Sequence, residues 1–192
     1  MNQEPALNVI KAIDLAYELD VENKSRKYIG ASGVGNACDA NLAFCLRGFP
    51  NTEPPSNLKR IFKMGHVIEE IVVADLKKAE NVVVHEIDSA TGEQFSYSEL
   101  GGHISCHTDG MIEVDGVSYV LEIKSMNHAS FQKFVAKSIK ISHHHYYCQV
   151  QMYMAFSKIR QSFFIAYNKD KSLYHAEIVE FDEIEWSYLK QR

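Results

Sequence analysis

The dipeptide Asp115-Gly116 separates two strand-like runs, His103 to Val114 and Val117 to Ser125. Because this dipeptide favours a two-residue type I′ turn, the sequence predicts a β-hairpin. In that register Val114 faces Val117, and the numbers of every cross-strand pair sum to 231. One face of the hairpin then carries apolar or small residues and is expected to face a core: Gly110, Ile112, Val114, Tyr119, Leu121 and Ile123.

The other face of the hairpin carries charge. Asp109 and Glu122 stand directly opposite each other, with Cβ atoms expected ~4.5–5.5 Å apart, and Lys124 shares the face of Glu122. Two carboxylates this close destabilise each other unless a cation lies between them, and hard oxygen ligands select Mg²⁺ or Mn²⁺. Such an ion polarises a phosphate and activates water, while Lys124 can orient that water or offset transition-state charge. An exposed hairpin with a plain Glu–Lys pair is the alternative interpretation.

Apolar periodicity places helices and further strands around this hairpin. Helices are predicted over Leu7–Leu19, Asn36–Arg47, Leu58–Ala79, Ala129–Ser138 and Tyr146–Lys158, and from near Asp182. Further strands are predicted over Val82–Ile87, Gln94–Ser98, Ser162–Tyr167 and Ser172–Phe181. This order predicts an α/β fold with a mixed central β-sheet flanked by helices.

The 192 residues, 46% of them hydrophobic, favour a single domain over 1–192 with an N-terminal helical portion, about 1–80. No apolar run approaches the ~20 residues that a membrane span needs. The acidic N-terminus has neither a basic start nor an apolar block, so no signal peptide is expected. These observations predict a cytoplasmic protein without membrane contact.

Charge is distributed unevenly along the chain. The net charge is −5, yet no acidic residue occurs from Ile123 to Lys169, where seven basic residues lie, so the remainder carries −12. This split predicts one basic surface for a phosphate backbone, with a set of solvated lysines as the alternative. Lys133, Lys137 and Lys140 recur at helical spacing and are the candidate phosphate contacts.

The segment GGHISCHTDGMIEVDGVSYVLEIKS resembles the core of the PD-(D/E)xK nucleases, whose fold is restriction-endonuclease-like. In that pattern the aspartate ends a short strand and the ExK triplet lies on the next one, as Asp109, Glu122 and Lys124 do. Thr108 stands where the family has proline. The resemblance implies hydrolysis of DNA phosphodiester bonds with Mg²⁺ or Mn²⁺, leaving 5′-phosphate ends. It also implies that the backbone carbonyl of Ile123 is a metal ligand.

Two further motifs resemble the RecB-like exonuclease branch of that family. Gly65-His66 lies on the long helix before the sheet, and the resemblance implies that His66 is a metal ligand. Glu70 follows at i+4 and is the accessory acid expected on the same side of the helix. The segment QVQMY matches the QxxxY motif, which implies that Gln149 and Tyr153 bind DNA or order the catalytic site.

The resemblance implies a metal-dependent DNA exonuclease acting in end processing, recombination or phage replication. Two alternatives remain open: an endonuclease of a restriction or defence system, and a catalytically idle DNA-binding module. DNA is the expected partner, and the resemblance leaves room for a recombinase or single-strand-binding protein and for an oligomer.

Cysteines and histidines offer other metal ligands. The four cysteines, at 38, 45, 106 and 148, form no CxxC pair, so core thiols are favoured and a zinc site is the alternative. Some RecB-like members hold an iron–sulfur cluster through three C-terminal cysteines; no cysteine follows Cys148, so no cluster is predicted. The run His143-His144-His145 points in several directions on a helix, which favours a solvated helix start over one site.

Overall fold

The computed structural model describes residues 3–21, 27–50 and 52–192. Eight α-helices and one short 3₁₀ helix, Leu100–Gly102, are present in this part of the chain, and the α-helices include all six that the periodicity predicts. Their bounds are α1 Glu4–Leu19, α2 Ala31–Val34, α3 Asp39–Leu46, α4 Ser56–Leu76, α5 His128–Ala136, α6 Ile139–Ser142, α7 His144–Ser157 and α8 Glu183–Gln191. None of them has the length and apolar character needed to span a membrane.

The strands form two sheets. Their bounds are β1 Ile29–Gly30, β2 Val82–His85, β3 Ser96–Glu99, β4 Ile104–His107, β5 Gly110–Val114, β6 Val117–Met126, β7 Gln161–Asn168 and β8 Leu173–Glu180. The larger sheet has the order β2-β5-β6-β7-β8, and it is mixed because only β6 and β7 run parallel. The smaller sheet has the order β1-β4-β3. A mixed sheet flanked by helices confirms the predicted fold class.

The hairpin prediction is confirmed residue by residue. Gly110 pairs with Leu121 and Val114 with Val117, while Asp115 and Gly116 have φ angles of 51° and 80°. Positive φ at both central positions is the signature of a type I′ turn. The pairing ends at Gly110 and Leu121, so Asp109 comes directly before the paired residues of β5 and Glu122 directly after those of β6.

The single strand predicted from His103 to Val114 is wrong, because the chain breaks at Thr108–Asp109 and continues in the other sheet. Gly110 makes the change of direction feasible: its φ is +145°, and a Cβ there would lie 2.6 Å from the carbonyl oxygen of His85. Only glycine combines this backbone with so close an approach. Asp109 thus lies in the short connection between β4 and β5, directly before β5 begins.

Helices cover both faces of the larger sheet. Ile68 and Val72 of α4 pack against Ile112 and Leu121 on one face. On the other face, α5 and α7 cover β6 and β7 with apolar side chains that include Phe134, Val150 and Met154. Each such side chain contributes ~1.5–3 kcal/mol when fully buried. The interpretation as an exposed hairpin is therefore wrong, since the charged face of β6 lies beneath α7.

Candidate active site

Asp109 directly precedes β5 and Glu122 lies within β6, and the two carboxylates are close enough to affect each other's ionisation. Oδ2 of Asp109 accepts a hydrogen bond of 2.7 Å from the backbone amide of Ile123. The Glu122 side chain is entirely buried. Its Oε2 has no hydrogen-bond partner in the described part of the chain. A buried, unsatisfied carboxylate oxygen is costly, so it indicates a position for a ligand.

Gln149 and Tyr153 connect α7 to this carboxylate. Nε2 of Gln149 donates to Oε1 of Glu122 at 2.9 Å and to the hydroxyl of Tyr153 at 2.7 Å. The two residues are one helical turn apart and both buried, so they share the face of α7 that covers β6. The structure thus brings together the two motif residues and the acid that the sequence pattern names separately.

Lys124 completes the group from the same strand face as Glu122. Its ammonium forms an ion pair with Oε1 of Glu122 and lies 5.1 Å from the ring centroid of Tyr146. About a fifth of the side chain (22%) remains exposed, so the ammonium borders solvent while Glu122 does not. Tyr146 therefore forms part of the wall beside the lysine.

Burial and like charge disfavour ionisation of both acids. Burial raises the pKa of Glu122 to about 8, with a further contribution from Asp109, and Lys124 only partly offsets these effects. Burial also raises the pKa of Asp109, against the opposing charges of Lys124 and His66. The pKa of Lys124 is raised because the two carboxylates outweigh its burial. A cation bound between the two carboxylates would favour their ionised forms.

Helix α4 brings His66 and an acid to the edge of this group. The His66 ring is 82% exposed and lies 3.8 Å from Oε2 of Glu69. Burial raises the pKa of Glu69, as does Asp109, whereas Glu70 is exposed. The acid nearest the site is thus Glu69, not the accessory acid predicted at Glu70. Residues three and four positions after His66 both lie on its side of a helix, so the rotation of α4 about its axis determines whether Glu69 or Glu70 faces the site.

The predicted basic surface is smaller than the sequence suggests. Three of its seven cations meet acids: Lys124 pairs with Glu122, Lys140 with Asp182 at 2.8 Å, and Arg160 with Glu183. Lys140 also lies 5.1 Å from the Tyr147 ring centroid. In contrast, Lys133 and Lys137 are exposed at the end of α5. Lys133 and Lys137 remain the better candidates for phosphate contact, because Lys140 is paired with Asp182, an acid from outside the acid-free segment.

The three histidines diverge, as the helical geometry predicts. His143 contacts the Ser130 hydroxyl at 2.6 Å, His144 lies against Cys148 and Glu185, and His145 packs on the ring of Tyr146. Two of the four cysteines are buried, as expected for core thiols. Cys106 and Cys148 are buried, whereas Cys38 is exposed and Cys45 is partly exposed.

The chain resembles known proteins in sequence pattern and in fold. A family model described as a YqaJ-like viral recombinase domain matches residues 22–160. The crystal structure of the alkaline exonuclease LHK-Exo from Laribacter hongkongensis matches with 19% identity and a TM-score of 0.60, covering 87% of this chain and 84% of that one. LHK-Exo in complex with dAMP matches with 18% identity and a TM-score of 0.63, covering 86% and 83%. At these identities the likeness shows a shared fold. Curated protein sequences give no significant match.

Proposed function

We propose that this chain, which belongs to the YqaJ-like viral recombinase domain family, is a divalent-metal-dependent DNA exonuclease that processes DNA ends in recombination. One observation carries the proposal: a fully buried glutamate with an unpaired oxygen lies close to an aspartate and forms an ion pair with a lysine. The cost of burying these charged groups is offset when a cation and a phosphate complete the site. The shared fold with an alkaline exonuclease supports this choice.

The residues present fit a divalent cation. The unpaired Oε2 of Glu122 and the carboxylate of Asp109 supply hard oxygen donors, and His66 supplies a nitrogen from α4. We propose that these three, with the backbone carbonyl of Ile123, hold the ion. Oxygen-rich ligand sets favour Mg²⁺ or Mn²⁺. When bound, such an ion supplies Lewis acidity toward the phosphate and lowers the pKa of a coordinated water.

The remaining residues of the site bind, orient and stabilise. Lys124 places its ammonium where it can hold an attacking water or offset charge that develops on the phosphate. Gln149 fixes the rotamer of Glu122 by donating to Oε1, and it also donates to the Tyr153 hydroxyl, which lies beside it. Because the Tyr153 side chain is buried, it acts on DNA through Gln149 and the shape of the site.

The test is cleavage of linear single-stranded and duplex DNA by the purified protein with Mg²⁺ or Mn²⁺. We expect Lys124→Ala to lose at least ~100-fold in rate, the loss found when one transition-state stabiliser is removed. Lys171→Ala is the matched control, because Lys171 is exposed in the turn between β7 and β8 and should leave the rate unchanged. Absence of cleavage with both ions, or full activity in Lys124→Ala, would refute the proposal.

A closed circular substrate separates exonuclease from endonuclease action. We expect strict dependence on a free DNA end; nicking or linearisation of the circle would instead indicate an endonuclease of a restriction or defence system. Retained DNA binding without cleavage would indicate an idle binding module. A recombinase or single-strand-binding protein as partner, an oligomeric state and a cytoplasmic location accord with end processing and belong to the same proposal.

A further inference from the structure

A second group of metal-ligating side chains lies where α7 meets α8, apart from the carboxylates of the nuclease site. Nδ1 of His144 lies 3.5 Å from Sγ of Cys148, and its Nε2 lies 3.4 Å from Oε1 of Glu185. The same carboxylate oxygen is 3.7 Å from the Cys148 sulfur. One ring nitrogen, the sulfur and one carboxylate oxygen all lie within 4.8 Å of one another.

The fold brings these three donors together from two helices. His144 and Cys148 are four residues apart on α7 and so share one face of the helix. Glu185 lies in the first turn of α8, whose start is capped by the Asp182 side chain accepting from the amides of Ile184 and Glu185. The capped turn gives the carboxylate a defined position against the two α7 residues.

The side of α7 that bears Cys148 is held by close packing. A Cβ on Gly35, at the end of α2, would lie 2.9 Å from Cα of His145 and 3.0 Å from Cβ of Cys148. The absence of a side chain at Gly35 therefore lets α2 fix this turn of α7. A donor set that is positioned before binding loses less entropy on binding an ion than a flexible one.

The spacing of the donors approaches that of tetrahedral zinc. Bonds of ~2.0–2.3 Å to nitrogen, oxygen and sulfur at tetrahedral angles separate neighbouring donors by about 3.4–3.6 Å. The Cys148 sulfur lies 3.7 Å from the Glu185 oxygen and 3.5 Å from Nδ1 of His144, whereas the 3.4 Å separation from the carboxylate belongs to the other ring nitrogen, Nε2. With one ring nitrogen as the ligand, two of the three separations lie near this range and the third is within 4.8 Å. Cysteine, histidine and glutamate together are ligands that zinc accepts and that Mg²⁺ does not favour.

Charge also matches a dication. A Cys148 thiolate and the Glu185 carboxylate carry two negative charges, and His144 binds as the neutral ring, so Zn²⁺ would leave the group neutral. The thiol proton passes to solvent when zinc binds. The neighbouring Arg192 is already paired with Asp39 through two nitrogens at 2.8 and 2.6 Å. Its charge is therefore largely offset by a partner outside the group.

We propose that His144, Cys148 and Glu185 form a zinc site distinct from the catalytic centre, with the fourth position open to water. His144 is half-exposed, which gives the ion a path from solvent. The site links α7 to α8, and Cys148 directly precedes Gln149, the residue that holds Glu122. Zinc here is a clamp on the helix that covers the active site, and it takes no part in the cleavage.

Cobalt(II) absorption distinguishes this site from the nuclease centre, because only a thiolate ligand gives a near-ultraviolet charge-transfer band and the nuclease ligands contain no sulfur. We expect one equivalent of Co²⁺ to produce the band in the full chain and Zn²⁺ to displace it. Cys148→Ser should abolish the band, whereas Cys38→Ser, which alters an exposed thiol outside the group, should retain it.

Two surface variants keep the test independent of folding. His144→Ala changes a half-exposed residue and should weaken Zn²⁺ binding by more than ~10-fold, since loss of even an outer-shell partner costs that much. His85→Ala is the matched control: its Nε2 also lies 3.4 Å from a glutamate, Glu113, and zinc affinity should not change. Zinc should also raise the thermal midpoint of the wild type and not that of His144→Ala.

Three results would overturn the proposal. One is the absence of a charge-transfer band with Co²⁺. Another is a band that survives in Cys148→Ser. The third is equal zinc affinity in the wild type and His144→Ala, which would mean that the three groups contact one another without a metal.

Discussion

Glu122 makes the stability of the metal-free protein depend on pH between about 6.5 and 8. Burial raises its pKa from an ordinary 4.5 to about 8. Within this window the unfolded chain has released the proton and the folded protein has kept it. The folded state therefore binds more protons, and the free energy of unfolding falls as pH rises.

The size of the effect follows from that pKa. The difference of about 3.5 pH units between the two states corresponds to about 5 kcal/mol at 1.36 kcal/mol per unit, an upper value for a group paired with a lysine. Most of this falls below pH 6.5. Between about pH 6.5 and 8 the expected decline is about 1.5–2 kcal/mol, close to one proton per molecule.

Two nearby acids, Asp109 and Glu69, also have pKa values raised by burial and add to the same decline, whereas the remaining shifted groups act mainly outside this window. Burial lowers the pKa of His143 and His145, which makes stability rise with pH only below their ordinary value of 6.5. Burial raises the pKa of the Cys106 and Cys148 thiols to about 12, which reduces stability only as pH approaches 9 and above. The interval between them therefore reports on the buried acids, and Glu122→Gln isolates the contribution of Glu122.

The assay is urea unfolding in the presence of a chelator, followed by the fluorescence of Trp186, the single tryptophan. We expect the wild-type stability to fall across the window with an unchanged denaturant slope. Glu122→Gln should flatten the dependence, and added Mg²⁺ should reduce it because the ion takes the place of the proton. A wild-type profile without slope, or the same slope in Glu122→Gln, would refute the argument.

Three further outcomes are expected. Gly110→Ala should destabilise the protein by more than ~2 kcal/mol in urea unfolding, because its φ of +145° and the nearby carbonyl of His85 leave no room for a Cβ; near-wild-type stability would contradict this. Phe134→Ala should cost about 3–5 kcal/mol in the same measurement, since the ring is 1% exposed in the core; a loss under about 1 kcal/mol would count against that packing. Changing both Lys133 and Lys137 to alanine should weaken DNA binding and reduce the slope of log affinity against log salt by about 2, and an unchanged slope would exclude them from the DNA interface.

The sequence determined most about the β5–β6 hairpin. A two-residue turn has only one register, so Asp115-Gly116 determined which residues of β5 and β6 pair, and strand alternation places Lys124 on the same face as Glu122. The helical spacing of Gln149 and Tyr153 likewise determined that they face the same way. These relations depend on local backbone geometry, which neighbouring residues specify.

Packing between distant elements decided the rest. The helix over Glu122 buries it, and the resulting desolvation, not the pattern of charges, raises its pKa to about 8. The rotation of α4 places Glu69 rather than Glu70 beside the acids. The position of α8 brings Asp182 to Lys140 across 42 residues of sequence, so an acid-free segment does not become a uniformly basic surface.

The β5–β6 hairpin separates what the sequence determines from what the tertiary packing determines. Its sequence by itself determined which side chains share a face, because strand alternation and turn type are local. Only the tertiary structure decided that this face is covered. It also decided that β4 and β5 belong to different sheets, with the change of direction at Gly110. The convergence of His144, Cys148 and Glu185 likewise depends on the tertiary structure. Burial and convergence depend on how separate elements pack, and the free energy of that packing belongs to the whole chain.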